Sequence, residues 1–329
     1  MIPPQTSNMA LYKIIGVMMS VATICFLALL VLRLFRSDKR RLPLPPGPRP
    51  LPILGNILDL PREGTPEWEH WLKHKDLYGP ISSVTVLGQT IIILHDSQAT
   101  FDLMEKRSAL YSDRPNMVFA MQMSGWGDLL VSLQPSDRLR AYRKYIHGAI
   151  GSKSQMARFS NLQITETRRF LFRVLQSPEN LVQHIKREAG AIILKMAYGY
   201  NIAPHEQDPL VQHVDEAMDQ FSKAAVAGAW LVDVVPALRH LPDWVPGTEF
   251  KRTARYYKKT LTEVIERPYQ FVKQRTAAGS YEPSFTSQLL ETEGQSDEGE
   301  LRIKNVAASL YTAGADTVGA LSVLECIDC

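Results

Sequence analysis

Residues 306–324 read VAASLYTAGADTVGALSVL, and this stretch decides how the rest of the chain is interpreted. Apolar or small side chains face every direction of the helix that it predicts, which is typical of a helix buried in a large domain. Yet Gly314, Asp316 and Thr317 stand in its middle. A buried carboxylate is costly unless it is paired, and a glycine inside a helix costs about 1 kcal/mol. A mid-helix threonine also competes for backbone carbonyls.

These unfavourable choices have two interpretations. In the first, Ala313 and Gly314 open a groove for a small ligand, with the acid and the hydroxyl of Asp316 and Thr317 beside it. In the second, the small residues allow a close contact between two helices, and Asp316 reaches solvent. Residue types alone leave both interpretations open.

The composition indicates an ordinary globular chain. Of the 329 residues 45% are hydrophobic and 22% are charged, which excludes disorder, collagen-like structure and a coiled coil as global descriptions. A net charge of +3 does not indicate a nucleic-acid surface. The three cysteines, Cys25, Cys326 and Cys329, cannot form a disulfide framework and lack the spacing of a zinc site.

Outward from the central helix, the periodicity predicts a mainly α body with a small N-terminal β-sheet. One hairpin is predicted from strands 81–86 and 90–94, and no strands alternate with helices, which argues against Rossmann and barrel folds. The sequence also lacks GxGxxG, P-loop and GxSxG motifs. The predicted helices cover residues 67–78, 97–106, 137–149, 155–175, 178–198, 210–227, 248–277 with a break or kink at Pro268, 284–290, and 301 onward. The acidic residues 291–300 are predicted to form an exposed loop.

The N-terminus predicts a membrane anchor. After a tail of residues 1–13, residues 14–32 carry no charge and are long enough to span a bilayer as one helix. A cleaved signal peptide is the alternative, but its apolar core is about 7–15 residues long and ends at small residues rather than at arginine. Residues 33–41 carry a net charge of +4, which places the body in the cytosol by the positive-inside rule. Residues 33–52, with six prolines in 43–52, are predicted to be a basic and stiff linker.

Several motifs together resemble one family. AGADT at residues 313–317 resembles the oxygen-binding motif in the central helix of cytochrome P450 monooxygenases. LPPGPRPLPILGN at 44–56, YGPI at 78–81 and YSDRP at 111–115 resemble successive landmarks of the microsomal members, and GWGD at 125–128 is similar to fungal members. The resemblance implies a cytochrome P450 fold, with residues 53–329 as the N-terminal two-thirds of its domain.

The resemblance also implies a site for heme b. Asp316 and Thr317 would be catalytic residues over the distal face, where Thr317 hydrogen-bonds oxygen or its water and Asp316 belongs to a proton relay. Ala313 and Gly314 would keep the groove open. Arg143 and Arg114 match residues that pair with the heme propionates, although Leu139 stands where the family usually has a tryptophan.

The function implied by the resemblance is oxidation of a small apolar metabolite in secondary-metabolite biosynthesis. Substrate contacts are expected from residues 117–126 and 210–230. The electrons would come from an NADPH-dependent flavoprotein reductase on the same membrane. The expected location is the endoplasmic reticulum membrane, with one lipid-embedded span, a cytosolic body and no nucleic-acid partner.

The chain ends at Cys329, before the glycine-rich loop that supplies the axial cysteine thiolate in this family. Cys326 lies nine residues after Thr317, about 13.5 Å along a helix, so it is not a substitute ligand, and no metal ligand is assigned. We therefore expect an incomplete, C-terminally truncated fold. The alternative function is a non-catalytic, membrane-anchored fragment that binds a partner, and a third option is an unrelated anchored helical protein.

Overall fold

The computed structural model describes residues 43–327 apart from 53, 62–65, 203–207, 227 and 295, and leaves aside the side chains of 316 and 318–327. The chain divides between Tyr111 and Ser112 into two compact units. The predicted tail, the anchor at 14–32 and the basic residues 33–41 lie outside the described residues. Within the described ranges, no helix combines the length and the hydrophobicity needed to cross a bilayer.

The N-terminal unit contains the predicted hairpin. Its described α-helices and strands are α1 (Glu67–Tyr78), β1 (Ile81–Val86), β2 (Gln89–Leu94), α2 (Ser97–Met104) and α3 (Ser108–Tyr111), and a 3₁₀ turn covers Ile57–Asp59. The strands are antiparallel, with Ile81 opposite Leu94. Leu87 and Gly88 both have positive φ angles, 48° and 85°, as a two-residue hairpin turn of type I′ requires. The hairpin prediction is therefore confirmed.

The proline-rich segment lies along β1. Its prolines donate no N–H, but their carbonyls accept hydrogen bonds from the strand. Ser83 donates from its hydroxyl to the Pro45 carbonyl at 2.7 Å and from its N–H to the Pro46 carbonyl at 2.9 Å. A Cβ at Gly47 would stand 1.9 Å from the Ser83 carbonyl oxygen. The end of the predicted linker thus forms part of the folded unit.

The regular secondary structure in the described residues of the C-terminal unit is entirely helical. Its helices are α4 (Asp137–Ile150), α5 (Lys153–Ala157), α6 (Ser160–Gln176), α7 (Leu181–Tyr198), α8 (Pro209–Ala224), α9 (Leu231–Val234), α10 (Glu249–Ala277), α11 (Phe285–Glu293) and α12 (Asp297–Ile327). A π-helical turn covers Val118–Met123, and 3₁₀ turns cover Trp126–Asp128, Pro178–Asn180 and Pro236–His240. A mainly α chain with a small N-terminal sheet is what the sequence predicts.

Helix α12 lies at the centre of the main core. It packs against α7, α8, α10 and α11 and carries the fully buried Val306, Ala307 and Tyr311. The Tyr311 hydroxyl donates to the Leu210 carbonyl of α8 at 2.7 Å. Its ring meets that of Tyr198 edge to face at 5.9 Å. The helix predicted from the opening stretch is therefore the element around which this unit is built.

Two local predictions are wrong, and a third is wrong in part. Residues 155–175 belong to two helices rather than one: a capping box of Ser152 and Gln155 starts the short α5, which ends at Ala157, and α6 begins at Ser160. Residues 291–300 are not one loop: α11 continues to Glu293, and α12 begins at Asp297 because acidic residues in its first turn favour a helix start. Helix α10 runs through Pro268 without interruption, so the predicted break is wrong, whereas the kink stays a prediction.

Candidate active site

A cavity of about 350 Å³ lies beside α12 within the C-terminal unit. Its lining is mostly apolar and includes two arginines. The lining residues are Arg114, Trp126, Leu129, Leu130, Val131, Arg143, Met218, Phe221, Ser309, Thr312, Ala313 and Thr317. This volume falls in the range of small-molecule sites, about 300–1,000 Å³.

One face of α12 forms a wall of this cavity. Ser309, Ala313 and Thr317 are spaced by four residues and so share one helix face. Ala313 and Thr317 are exposed although the preceding residues 306–312 are all buried, because the cavity lies beside them. The Thr317 hydroxyl donates to the Ala313 carbonyl at 2.6 Å, the local bond expected of a mid-helix threonine.

Gly314 lies on a different face of the same helix. A Cβ at this position would stand 2.8 Å from Cδ1 and from Cγ1 of Ile193 on α7. The absence of a side chain therefore permits close packing of α12 on α7. Of the two interpretations of the small residues, the groove applies to Ala313 and the helix contact applies to Gly314. The predicted cofactor contact of Gly314 stays a prediction.

Arg114 is held at the cavity edge by neighbouring backbone and side-chain groups. Its N–H donates to Gln134 Oε1 at 2.9 Å, and Gln134 Nε2 donates back to the Arg114 carbonyl at 2.7 Å. Its Nε donates to the Val131 carbonyl at 3.2 Å. These bonds leave the two terminal nitrogens of the guanidinium available to a ligand.

Arg143 reaches the same cavity from α4. Two other arginines of that helix form ion pairs, Arg138 with Asp128 at 2.8 Å and Arg140 with Asp137 at 2.7 Å. Among the described residues, neither Arg114 nor Arg143 pairs with a carboxylate. Two such cations at a mostly apolar cavity are suited to an apolar ligand that carries two carboxylates.

Further walls of the cavity come from α8 and from the segment after the π-helical turn. The buried ring of Trp126 lies 4.3 Å from that of Phe221, and Leu129 is also buried. The segment at residues 129–131 is bonded to α12 through Ser309, whose hydroxyl accepts from the Leu130 N–H at 2.9 Å. These apolar groups exclude water from one side of the cavity.

Comparison with known proteins identifies the family. The cytochrome P450 family model matches residues 45–321. The chain belongs to the cytochrome P450 family. Heme is the cofactor of this family, so the resemblance seen in the motifs is confirmed at the level of family and cofactor.

Curated relatives agree with this assignment. Cytochrome P450 monooxygenase ppsD of Aspergillus oryzae is 45% identical, over 86% of this chain and 53% of the relative. Cytochrome P450 monooxygenase claR of Ampulloclitocybe clavipes is 46% identical, over 91% of this chain and 56% of the relative. The O-methylsterigmatocystin oxidoreductase of Aspergillus flavus is 39% identical, over 79% and 49%. The chain thus spans about half the length of these relatives.

The donor set of the cavity fits heme b. Heme presents two carboxylates on an apolar macrocycle, and the cavity presents, beside apolar walls, two guanidiniums that have no acidic partner among the described side chains. Within the described residues, no group of three or more His, Cys, Asp or Glu side chains could hold a metal ion. Cys25 and Cys329 lie outside those residues, and the Cys326 side chain lies outside the described atoms.

Four of the six predicted site residues meet at this cavity: Arg114, Arg143, Ala313 and Thr317. Gly314 packs on α7, and the Asp316 side chain lies outside the described atoms. From the ranges predicted for substrate contact, Trp126, Met218 and Phe221 line the cavity. These placements leave the cofactor and catalytic roles as predictions.

Sequence reasoning missed Ser309, Thr312 and residues 129–131. For Ser309 a signal exists, because it stands four residues before Ala313 and eight before Thr317 on one helix face. For residues 129–131 the sequence carries no comparable signal, since their position depends on tertiary contacts with α12.

Proposed function

We propose that the protein acts as a heme-dependent monooxygenase on a small apolar metabolite. The observation that carries this proposal is the meeting of Arg114, Arg143, Ala313 and Thr317 at one cavity. These residues come from three separate parts of the chain, and each matches a position in the motifs of the family. When bound, heme supplies the iron that activates dioxygen for insertion into the substrate.

The residues of the chain bind, orient and supply protons. Arg114 and Arg143 bind the two heme carboxylates and fix the orientation of the macrocycle by charge-assisted hydrogen bonds. Ala313 leaves room beside α12 for oxygen and substrate. The Thr317 hydroxyl turns from the Ala313 carbonyl to hold a proton near the reacting atoms, and Asp316 exchanges protons with it.

The proposed substrate is a product of secondary metabolism. The wall formed by Trp126, Met218 and Phe221 offers apolar and aromatic surface to a substrate without charge. One relative bears the name of the compound that it oxidises, O-methylsterigmatocystin. That compound is therefore a reasonable first probe for this protein.

The proposed setting is the endoplasmic reticulum membrane. A span at residues 14–32 would anchor the protein in lipid, and the basic residues 33–41 would keep the body cytosolic. An NADPH-dependent flavoprotein reductase on the same membrane would deliver the electrons.

Microsomes that carry the protein and such a reductase provide the test. With NADPH, ¹⁸O₂ and O-methylsterigmatocystin or another apolar probe, we expect one labelled oxygen atom in the product. Thr317→Ala should keep NADPH consumption and lower product formation at least about tenfold, because proton delivery at the cavity is lost. Labelled product that forms equally without NADPH would contradict the proposal. An unchanged ratio of product formed to NADPH consumed in Thr317→Ala would also contradict it.

A further inference from the structure

Ser309 is the only described residue of α12 whose side chain hydrogen-bonds the segment at 129–131. Its side chain is buried, with 4% of its surface exposed. The hydroxyl donates to the Asn305 carbonyl at 2.6 Å and accepts from the Leu130 N–H at 2.9 Å. Both directions are fixed, because a carbonyl only accepts and an N–H only donates.

The segment bonded to Ser309 also holds Arg114. Leu129 is buried in the main core, Leu130 is bonded to Ser309, and the carbonyl of Val131 accepts from Arg114 Nε at 3.2 Å. The chain of contacts therefore runs from the centre of α12 through two consecutive residues to the guanidinium at the cavity edge.

We propose that Ser309 is a positioning residue, which fixes residues 129–131 against α12 and thereby aims the Arg114 guanidinium into the cavity. Without the hydroxyl, the Leu130 N–H loses its partner, and the Val131 carbonyl is no longer held in place. Ser309 touches neither carboxylate of the cofactor in this role. It acts through Arg114, and its effect on heme rests on the proposed function.

Thr312 offers a matched control. It lies on the same helix, lines the same cavity and is also buried. Its hydroxyl donates to the Ala308 carbonyl at 2.9 Å, and no bond from it to another segment is found among the described residues. Removal of this hydroxyl changes the cavity wall while the bond to Leu130 remains.

The first experiment needs no cofactor. Hydrogen exchange of the Leu130 amide and of the Arg114 Nε–H is followed by NMR in the full chain. In Ser309→Ala both should exchange about tenfold faster, the effect of one lost hydrogen bond. Ser309→Thr, which keeps the hydroxyl, and Thr312→Ala should exchange like the parent protein.

Ser309→Val guards against a misfolded variant, because it has the shape of Ser309→Thr without the hydroxyl. We expect faster exchange of the Leu130 amide in Ser309→Val but not in Ser309→Thr. If the amides of α7 stay protected in both of these variants, the faster exchange reflects the lost hydrogen bond and not misfolding. Unchanged Leu130 exchange in Ser309→Ala would overturn the proposal. Faster Leu130 exchange with unchanged Arg114 Nε–H exchange would also overturn it, because Ser309 would then anchor the segment without positioning the arginine.

A second experiment joins the inference to the cofactor. Heme titrations of Ser309→Ala, Arg114→Ala and the double variant should show weaker binding by Ser309→Ala and no further weakening when Arg114 is already absent. Additive losses would contradict a role through Arg114. If the parent chain takes up no heme, the proposed function fails, while the exchange experiment still decides whether Ser309 positions Arg114.

Discussion

Two neighbouring residues of α12, Ala313 and Gly314, face different surroundings. Ala313 is exposed at the cavity, whereas a Cβ at Gly314 would meet Ile193 of α7 at 2.8 Å. Successive residues of a helix are rotated by about 100°, so adjacent small residues serve different faces. One face of α12 builds the core, and the next builds the candidate site.

This difference shows what small residues in a helix can and cannot indicate. Both a tight helix contact and an open groove require short side chains, so the sequence pattern is the same for the two. The neighbours from α4, α7 and α8 decide which face is covered. Variants on the two faces should therefore affect different properties, stability on one and ligand binding on the other.

The largest effect is expected on the packed face. Gly314→Leu should lower the free energy of unfolding by about 3 kcal/mol, because the new side chain overlaps Ile193 in a close-packed contact. Urea unfolding of the full chain measures this loss. The matched variant on the cavity face, Ala313→Leu, should change stability by less than about 1 kcal/mol, because its side chain enters open space.

A size exchange sharpens the same prediction. Ile193→Ala makes room opposite Gly314 and, as a single change, should lower the free energy of unfolding by about 2–4 kcal/mol. Combined with Gly314→Leu, the loss should be clearly smaller than the sum of the two single losses. Additive losses would show that the two residues do not share a contact.

Tyr311 should give the next largest effect on the packed face. Tyr311→Phe removes the bond from its hydroxyl to the Leu210 carbonyl and should cost about 1.5 kcal/mol. The cost stays moderate because a helical carbonyl of α8 can keep its own backbone partner. Thermal unfolding monitored by circular dichroism checks it, and an unchanged midpoint would argue against this bond.

Tyr198→Phe should raise the free energy of unfolding, whereas Tyr311→Phe lowers it. The buried Tyr198 hydroxyl has no hydrogen-bond partner among the described residues, so its removal should stabilise the protein by about 1 kcal/mol. The ring contact with Tyr311 remains. Equal or lower stability of this variant at neutral pH would contradict the absence of a partner.

The pH dependence of this variant follows from burial, which raises the pKa of Tyr198 far above its usual range. Above about pH 10 the unfolded tyrosine loses its proton while the folded one keeps it, so the parent protein loses stability as pH rises. Tyr198→Phe lacks this loss. Its advantage should therefore grow by about 1.4 kcal/mol per pH unit above pH 10. Unfolding curves at pH 8 and pH 11 provide the comparison.

The smallest effect on stability is expected on the cavity face. Thr317→Ala removes a hydroxyl that, among the described residues, bonds only to a carbonyl of its own helix, and alanine has the higher helix propensity. The free energy of unfolding should change by less than about 0.5 kcal/mol in urea. A loss above 1 kcal/mol would mean that Thr317 has a structural role. A lower ratio of product to consumed NADPH in Thr317→Ala would then no longer indicate a role in proton delivery.

Much of the fold is readable from the sequence where the signals are local. The helix Glu67–Tyr78 and the hairpin follow from periodicity and β-branched runs, and the central helix follows from its apolar length. Two of the errors concern helix starts that capping chemistry sets. Ser152 with Gln155 starts a separate helix, and acidic residues that resemble a loop instead form the first turn of α12.

The candidate site is predictable only in part, for a different reason. Arg114, Arg143, Ala313 and Thr317 are recognisable through motifs, and the fold brings them to one cavity. The role of Gly314 depends on which helix lies against it. Ser309 has its effect through a backbone N–H 179 residues away in sequence, and no local pattern reports such a contact.

The central claim is that Arg114 and Arg143 bind the two carboxylates of heme at this cavity. A heme titration of the full chain, followed at the Soret band, tests it with three proteins: the parent, Arg114→Ala/Arg143→Ala, and the control Arg140→Ala, whose guanidinium pairs with Asp137. We expect at least about tenfold weaker binding by the double variant and unchanged binding by the control. The double variant should lose only about 1 kcal/mol of stability, from the bond between Arg114 and the Val131 carbonyl, and the control should unfold like the parent. Equal heme affinity of the double variant and the parent would contradict it.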